Sequence, residues 1–489
     1  GFETMKRVTF YGQEKTPATI RLAKMNLAVH GLEGDIQEAN TFYEDKHRLQ
    51  DGRPLWGNVD FMMANPPFNV DKVDAESIKT DRRLPFGLPG VNKDKQVSNG
   101  NYLWISYFHS YLSPTGRAGF VMSSQASSAG HGEKEVRRKL VETGDVDVMI
   151  AIRSNFFYTR TVPCELWHFD RNKPVDRKDQ VLMLDARNVY RKVTRKIYDF
   201  SPEQQANLAA IVWLYRGQQA RFLGLVQSYI TRLGTEAAAV DAALAAFEST
   251  LTASHTPLAA FLDSVKCIEA LPQEKRQGLT EAISEWGSAA SAYATDRATL
   301  VTGLAAFCKS LAQPPQTNPA QHTARKTFDP LAVAARGQVK QIDLLYKLAA
   351  RAAQLAQELA TQDTAAEFYD RRALAKLTKQ LDEERKSAVE QLKDCTALHR
   401  QIAWLQERFP EAVMQDVLGL CKVVTRTEIE AADWSLTPGR FVGVAPTEVD
   451  EDFDFEQTLR DIHLELADLN REAGELAVKI QTNFEELGV

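Results

Sequence analysis

The chain has 489 residues, enough for about two to four domains of common size. Apolar residues make up 44% and charged residues 25%, which is the balance of an ordinary globular protein and excludes a disordered or collagen-like chain. The net charge is −6, from 59 basic and 65 acidic residues, so the chain as a whole has no basic footprint for gripping nucleic acid unaided. Contact with nucleic acid would need a local patch or a partner.

The cysteines and the apolar runs exclude further classes. The five cysteines lie far apart and form no C-x-x-C pair, which predicts free thiols in a reducing compartment and no disulfide or zinc framework. Scattered histidines and the lack of an H-E-x-x-H pattern predict no metal site. No apolar run approaches the roughly 18 residues of a membrane span, and "GFETMKRVTF" does not resemble a signal peptide. We therefore expect a cytoplasmic protein with no membrane contact.

Residues 1–200 alternate between strand and helix patterns. A helix is predicted over 16–32, with Thr16 as a candidate N-cap, Pro17 in the first turn and Gly31 after the end. Residues 101–124 are typical of a helix, a turn and a strand. Further strands are predicted at 7–12, at 59–64 as a buried strand, and at 145–152, 164–170 and 180–186. This alternation predicts an α/β domain over 1–200 with a mostly parallel sheet.

The remainder of the chain has a different texture. Residues 201–415 are rich in alanine, leucine, glutamine and charged residues at helical spacing, which predicts an insertion of long antiparallel helices. Within it, the proline-rich stretch 312–330 is the best candidate for a linker. Residues 416–489 are predicted to hold a short α/β segment, a turn at 436–443 and a last helix.

That last helix carries an apolar stripe at alternating steps of three and four residues. The stripe consists of Phe455, Leu459, Ile462, Leu466, Leu469, Ala473, Leu476, Ile480 and Leu487. Such a heptad pattern indicates either a helix packed on its own domain or one that docks on another subunit. The sequence alone leaves both interpretations open.

The segment "FMMANPPFNV" (61–70) ends an apolar strand in an unusual way. An exocyclic amine such as that of adenine is a weak nucleophile, so a site that uses it must accept its hydrogens. The Asn65 side-chain carbonyl and the Pro66 main-chain carbonyl are suitable acceptors; Pro67 stiffens the turn and Phe68 offers an apolar face for a base. The plainer alternative is a rigid Pro-Pro turn with Asn65 as a local cap.

Several motifs in order resemble one known family. "NPPF" after "FMMA" resembles the catalytic motif of methyltransferases that modify adenine N6. The segments at 11–32, 100–124, 156–169 and 420–444 are similar to those of the modification subunit of type I restriction-modification systems. The resemblance covers about 1–225 and 416–489 and implies a Rossmann-like methyltransferase fold. Residues 226–415 fit it poorly.

The resemblance assigns roles to individual residues. It implies that Asn65, Pro66, Pro67 and Phe68 form the catalytic motif, which holds the target amine and stacks on the base. It implies S-adenosylmethionine as the cofactor.

Four further residues complete the implied site. Glu14, at the end of the strand "VTFYGQE", would bind the ribose hydroxyls of the cofactor, although it could instead be a charge at the start of the next helix. Asn40 stands where the family usually has an aspartate, so the resemblance implies a cofactor-binding position that lacks the family's charge. Phe157 and Tyr158 are weaker candidates for the base pocket and could equally belong to the core.

The family's first strand and its glycine-rich loop should lie just upstream of "RVTFYG" and are missing from the residues given. We therefore expect that Gly1 is not the natural start and that an amino-terminal helical domain and the first strand precede it. The resemblance places that strand in the middle of the sheet.

The resulting expectation is a subunit that methylates adenine N6 in duplex DNA as part of a type I restriction-modification complex. Its implied partners are a DNA specificity subunit, a second copy of the modification subunit, duplex DNA and, known only through the family, a restriction endonuclease subunit. Two alternatives stay open: a non-catalytic scaffold subunit, and a methyltransferase that acts on a protein glutamine or an rRNA guanine.

Overall fold

A computed structural model describes residues 8–49, 51–157, 161–194, 197–361 and 363–444, and in the carboxyl-terminal stretch residues 459, 462, 466, 470, 473–474 and 476–481. The chain divides into two units, Gly1–Gly443 and Val444–Val489. In the second unit the described positions are exposed and, from residue 459 on, helical, among them Leu459, Ile462 and Leu466 of the heptad stripe. Its members Phe455, Leu469 and Leu487 lie outside the described residues.

The first part of the larger unit contains short strands and helices. In chain order these elements are β1 (Phe10–Glu14), α1 (Pro17–Val29), β2 (Gly34–Glu38), β3 (Val59–Ala64), β4 (Val73–Asp74), α2 (Ala75–Ile78), β5 (Gln96–Val97), α3 (Asn101–Tyr111), β6 (Leu112–Ser123), α4 (His131–Glu142), β7 (Val146–Ile152), β8 (Cys164–Asp170), β9 (Gln180–Asp185), β10 (Arg191–Lys192) and β11 (Tyr198–Asp199).

The later part is mainly helical. Its elements are α5 (Pro202–Tyr215), α6 (Gln219–Val265), α7 (Gln273–Ser310), α8 (Asn318–Leu359), α9 (Asp363–Ala366), α10 (Arg371–Arg408), β12 (Cys421–Thr425) and α11 (Arg426–Ala431). The prediction of an α/β sheet followed by a long helical region is confirmed. None of the described helices is long and apolar enough to cross a membrane.

The main sheet has the strand order β12-β9-β7-β8-β6-β3. Strands β3, β6, β7 and β9 run in one direction, while β8 and β12 run in the opposite direction. Strand β7 is buried along its whole length, which is what an apolar strand at the centre of a covered sheet requires. Strands β1 and β2 pair in parallel in a separate two-stranded sheet, with Glu14 opposite Glu38.

Strand β3 corrects one expectation. Its bounds are the predicted ones, but it is not a buried strand: Phe61 is 77% exposed and Met63 is 87% exposed. Both lie on an open groove on one face of the sheet, which Gly119 and His168 also line. β3 is the last strand of its sheet and pairs only with β6 among the described residues, so neither its free edge nor this face is covered.

The four long helices α6, α7, α8 and α10 form an antiparallel bundle. Asp241 and Glu248 of α6 contact Arg297 and Tyr293 of α7, so ascending residue numbers on one helix meet descending numbers on the other. The same reversal joins three further pairs of helices. The contacts are Asp296–Gln341 and Glu285–Arg351 between α7 and α8, Asp343–Arg385 and Asp329–His399 between α8 and α10, and Glu236–Gln391 and Thr250–Gln380 between α6 and α10. Its apolar core is continuous with residues of β7 and β9.

The predicted linker is wrong over most of its length. Helix α8 begins at Asn318, with Pro319 in its first turn, and continues through Pro330. An interior proline removes a helical hydrogen bond and costs about 3 kcal/mol relative to alanine. Phe328 and Ala332 on either side are fully buried in the bundle, and this packing offsets the local cost. Of the predicted linker, the residues before α8 remain non-helical.

The chain returns to the sheet after the bundle. Strand β12 pairs antiparallel with β9, with Val424 opposite Val181. A short 3-10 turn, Pro438–Arg440, follows α11. The Leu436 amide donates to the Ser127 carbonyl at 2.8 Å, which ties this late segment to the end of β6. The segment that resembles the family at 420–444 thus lies against the α/β part.

Candidate active site

The segment Asn65–Phe68 lies where the sequence placed it, directly after β3. Strand β3 pairs in parallel with β6, and Ala64 stands opposite Phe120, so Asn65 begins at the carboxyl edge of this part of the sheet. Ligands of open α/β sheets bind at that edge. The Asn65 side chain is exposed and has no hydrogen-bond partner among the described residues.

The two prolines and Phe68 differ in their surroundings. Pro66 is buried, and no N–H group in the described residues donates to its carbonyl; Pro67 is exposed. Phe68 is half-buried and packs against the two apolar clusters on either side of the sheet. The side-chain carbonyl of Asn65 and the main-chain carbonyl of Pro66 are therefore two acceptors on a rigid turn that have no hydrogen-bond partner in the described residues.

The chain reverses at the next residue. Asn69 has a φ of 54°, in the left-handed region that asparagine tolerates better than most residues. Asn69 is bonded to Asn99 and Asn101 at the start of α3, and the Gly100 amide donates to the Val70 carbonyl at 2.7 Å. The loop after Phe68 is thus attached to α3.

Glu14 and Asn40 are brought together at the ends of β1 and β2. The Ala39 amide donates to the Glu14 carbonyl at 3.0 Å, which extends the parallel pairing to the residue before Asn40. One carboxylate oxygen of Glu14 accepts the Thr16 amide at 3.0 Å, at the start of α1, and its other oxygen has no partner in the described part of the chain. The Asn40 Oδ1 atom accepts the Phe42 amide at 3.2 Å.

These contacts bear on both sequence interpretations of Glu14. Thr16 occupies the N-cap position, but its side chain makes no cap hydrogen bond, and Glu14 satisfies its amide instead. Glu14 therefore does act as a charge at the start of α1. Its second oxygen remains open at the strand end, so a ligand hydroxyl could be bound there as well.

The two aromatic candidates are only partly described. Phe157 is half-buried and packs against the large apolar cluster, and its neighbour Phe156 contacts the Phe200 ring with centroids 4.5 Å apart. Tyr158 lies outside the described residues. The contacts of Phe157 suit a core residue, and its role in a base pocket stays a prediction.

Sequence reasoning missed a buried carboxyl group at the same edge. Glu165, at the start of β8, is 1% exposed and stands opposite Met122 near the carboxyl end of β6. The Ser127 hydroxyl donates to its Oε1 atom at 3.0 Å, and Ser127 also contacts the Thr437 hydroxyl at 2.6 Å. Its Oε2 atom is buried without a partner in the described residues.

Burial raises the pKa of Glu165 to about 8, because the charged form loses its solvation. Near pH 7 the Glu165 side chain is therefore mainly a neutral acid. Through Ser127 it connects β8 to the late segment around Thr437. The available signal was a lone acidic residue inside the apolar run "CELWHF", which the strand prediction passed over.

Comparison with known proteins follows the same segments. Residues 2–227, just under half of the chain, match the family model described as N-6 DNA Methylase. The chain is 37% identical over 196 residues to the type I restriction enzyme MjaIX methylase subunit of Methanocaldococcus jannaschii, covering 39% of this chain and 33% of that protein. It is 31% identical over 208 residues to the HindI methylase subunit of Haemophilus influenzae, covering 42% of this chain and 44% of that protein.

A solved structure is also similar: the methyltransferase subunit of the type I restriction-modification system of Streptococcus thermophilus, at 22% identity and a TM-score of 0.37 over 42% of each chain. The chain thus spans a third to under a half of the length of the curated relatives it matches. The predicted resemblance is confirmed over this part: residues 2–227 match the N-6 DNA methylase family model, and the curated proteins similar to them are methylase subunits of type I restriction enzymes.

Proposed function

We propose that this chain transfers a methyl group from S-adenosylmethionine to the N6 amine of adenine in duplex DNA, as the modification subunit of a type I restriction-modification complex in the cytoplasm. One observation carries the proposal. The motif Asn65–Phe68 lies at the carboxyl end of a parallel strand, with the Asn65 amide exposed and the Pro66 carbonyl without a donor in the described residues.

The residues of this motif suit the chemistry of a weak amine nucleophile. The Asn65 carbonyl oxygen and the Pro66 main-chain oxygen each accept one N–H of the target amine, which draws the nitrogen lone pair out of conjugation with the ring. The half-buried Phe68 ring stacks on a base that has left the duplex, where no partner base competes for it. In the transfer the nitrogen would form one new bond to the methyl carbon, the bond between that carbon and the sulfonium sulfur would break to leave a neutral thioether, and the nitrogen would lose one proton to solvent.

The residues that would hold the cofactor are Glu14 and, more weakly, Asn40. The open Glu14 oxygen at a strand end fits a pair of ribose hydroxyls, since a carboxylate at that position accepts such hydroxyls in dinucleotide-binding folds. Asn40 fits less well, because its Oδ1 atom is already used by the Phe42 amide. When bound, S-adenosylmethionine supplies an electrophilic methyl group on a sulfonium.

We propose the complex because the net charge of this chain does not favour binding to DNA without a partner. A net charge of −6 gives little attraction for phosphates, so a partner must supply most of the phosphate contacts and the reading of sequence. A DNA specificity subunit and a second modification subunit fit that need, and a restriction endonuclease subunit is a further candidate. The exposed apolar positions Leu459, Ile462 and Leu466 suit helix docking on such a partner.

The proposal is tested by transfer of label from methyl-labelled S-adenosylmethionine to duplex DNA, using the full-length protein with the subunits that co-purify with it. Asn65→Ala should lower the rate about 100- to 1000-fold, the cost of removing one preorganised transition-state hydrogen bond. The control is Asn58→Ala, an exposed asparagine just before the other end of β3, which should transfer label like the parent.

An Asn65→Ala protein as active as the parent would refute the site. Label that enters protein or rRNA in place of DNA would favour the alternative substrates. A parent complex that transfers no label to DNA, protein or RNA would leave the scaffold interpretation.

A further inference from the structure

Asn101, the first residue of α3, is 1% exposed and is not used by the proposed chemistry. Its side chain reaches across to the residue that follows Phe68. The Asn101 Oδ1 atom accepts the Asn69 amide at 2.8 Å, and its Nδ2 group donates to the Asn69 Oδ1 atom at 2.9 Å. Both ends of one buried amide are therefore bonded to the same loop residue.

These bonds hold a backbone conformation that is uncommon for residues with a side chain. Asn69 has a φ of 54°, and a left-handed conformation costs about 1–2 kcal/mol for ordinary L-residues. The bonds from Asn101 favour that conformation, and Asn99 adds a third bond to the Asn69 Oδ1 atom at 3.1 Å. The direction in which the chain leaves Phe68, and so the orientation of the Pro66–Phe68 turn, is fixed from α3.

The base from which Asn101 acts is rigid. Its neighbours Tyr102, Leu103 and Ile105 have no exposed surface, and the Tyr102 hydroxyl donates to the Ala126 carbonyl at 2.5 Å. A side chain on a rigid helix positions its partner more accurately than a side chain on a loop does.

Capping of the helix does not account for Asn101. The N-cap residue of α3 is Gly100, and the Asn101 amide is accepted by the Asn99 Oδ1 atom at 2.9 Å. Both side-chain hydrogen bonds of Asn101 go to Asn69. Among the described residues, this buried side chain therefore bonds only to the loop that follows the motif.

We propose that Asn101 is a positioning residue for methyl transfer, which sets the Asn65–Phe68 turn by clamping Asn69 in its left-handed conformation. This inference rests on the proposed function of that turn. Asn101 touches neither substrate nor cofactor, so it acts on the rate through the placement of the two acceptors and the Phe68 ring.

The test compares Asn101→Ala with Ser106→Ala in the full-length protein and its co-purifying subunits. Ser106 is a matched control because it lies on the same helix, has no exposed surface and has a hydroxyl without a partner in the described residues. Asn101→Ala should lower kcat roughly 100-fold, the effect of a displacement of about 1 Å. KM for DNA and for S-adenosylmethionine should change little, because binding surfaces away from the turn are intact.

A second pair of variants addresses the backbone directly and does not depend on the fold tolerating Asn101→Ala. Asn69→Gly keeps the left-handed conformation at no steric cost, whereas Asn69→Ala must adopt it under strain. We expect Asn69→Ala to have a lower kcat than Asn69→Gly, and both to bind cofactor like the parent. If Asn69 mattered only for stability, the two variants would differ in melting temperature but would have the same kcat.

The two hypotheses fail in different ways. If the parent methylates DNA, Asn65→Ala is inactive, and Asn101→Ala keeps the kcat of Ser106→Ala, only the positioning role is overturned. Equal kcat values for Asn69→Ala and Asn69→Gly would overturn it as well. If the parent complex methylates nothing, the proposed function itself fails.

Discussion

The helical bundle and the edge of the sheet at β3, next to the candidate site, differ in how far their apolar side chains are buried. We call this edge the margin. In the bundle of α6, α7, α8 and α10, Phe247, Trp286, Phe307 and Phe328 are at most 1% exposed. At the margin, Phe61 and Met63 of β3 are 77% and 87% exposed. The bundle buries these large aromatic side chains, whereas Phe61 and Met63 of β3 are left exposed by the described part of the chain.

Helix α1 also has exposed apolar side chains. Its residues Leu22, Met25 and Val29 follow helical spacing on one stripe and are 64%, 62% and 82% exposed. Apolar patches of this kind mark contact surfaces, and α/β sheets with parallel strands are normally covered on both faces. The site thus lies in a part of the fold where several large apolar side chains are exposed.

The largest expected effect lies in the bundle. Phe328→Ala should lower the free energy of unfolding by about 3–5 kcal/mol, because it leaves a cavity beside the Phe307 and His399 rings. Chemical denaturation followed by helical circular dichroism would measure the loss. Val333→Ala, on the same helix but 60% exposed, is the control and should change little. Equal effects of the two variants would contradict a packed bundle.

An effect of intermediate size on the free energy of unfolding is expected at the buried residue Glu165 of β8. Its pKa is raised to about 8 in the fold, so the folded state holds a proton that the unfolded chain releases above its ordinary value near 4.5. Stability from this group is present below that ordinary value and is lost as pH rises toward 8. Glu165→Gln should therefore stabilise the protein by roughly 2–3 kcal/mol at pH 7 and by little at pH 4.

Denaturation curves of variant and parent from pH 4 to 8 measure this difference. Glu430→Gln, an exposed carboxyl on α11, should follow the parent throughout. A Glu165→Gln advantage that is the same at every pH would show that the carboxyl does not titrate as its burial requires.

The smallest effect is expected at the margin itself. Met63→Ser in the 489-residue chain should change the free energy of unfolding by no more than about 0.5 kcal/mol, as is usual for exposed positions. Met62→Ser, on the opposite face of β3 and packed against a buried cluster, should cost more. The same denaturation assay compares them. A large loss for Met63→Ser would mean that this face is covered after all, which would remove the contrast with the bundle.

Much of the local structure could be predicted from the sequence because its causes are local. The apolar run of 59–64 and the prolines after it placed both β3 and the turn at Asn65. The Thr16–Pro17 start placed α1, and the long apolar periodicity placed the bundle helices.

The errors arose where distant residues decide the outcome. The run at 59–64 indicates a strand, but whether Phe61 is buried depends on which elements cover it. Pro330 indicated a linker, yet the burial of Phe328 keeps the helix intact. Asn101 and Glu165 were missed because their partners, Asn69 and Ser127, lie 32 and 38 residues away in sequence.

The most direct test is analysis of the methylated nucleoside. DNA treated with the full-length protein, its co-purifying subunits and S-adenosylmethionine would be digested and its nucleosides identified by mass. The proposed site predicts that N6-methyl-2′-deoxyadenosine is formed. It should be lost with Asn65→Ala and still be formed with Asn58→Ala. A methyl group on cytosine, or N6 methylation that survives Asn65→Ala, would contradict a site built on the turn after β3.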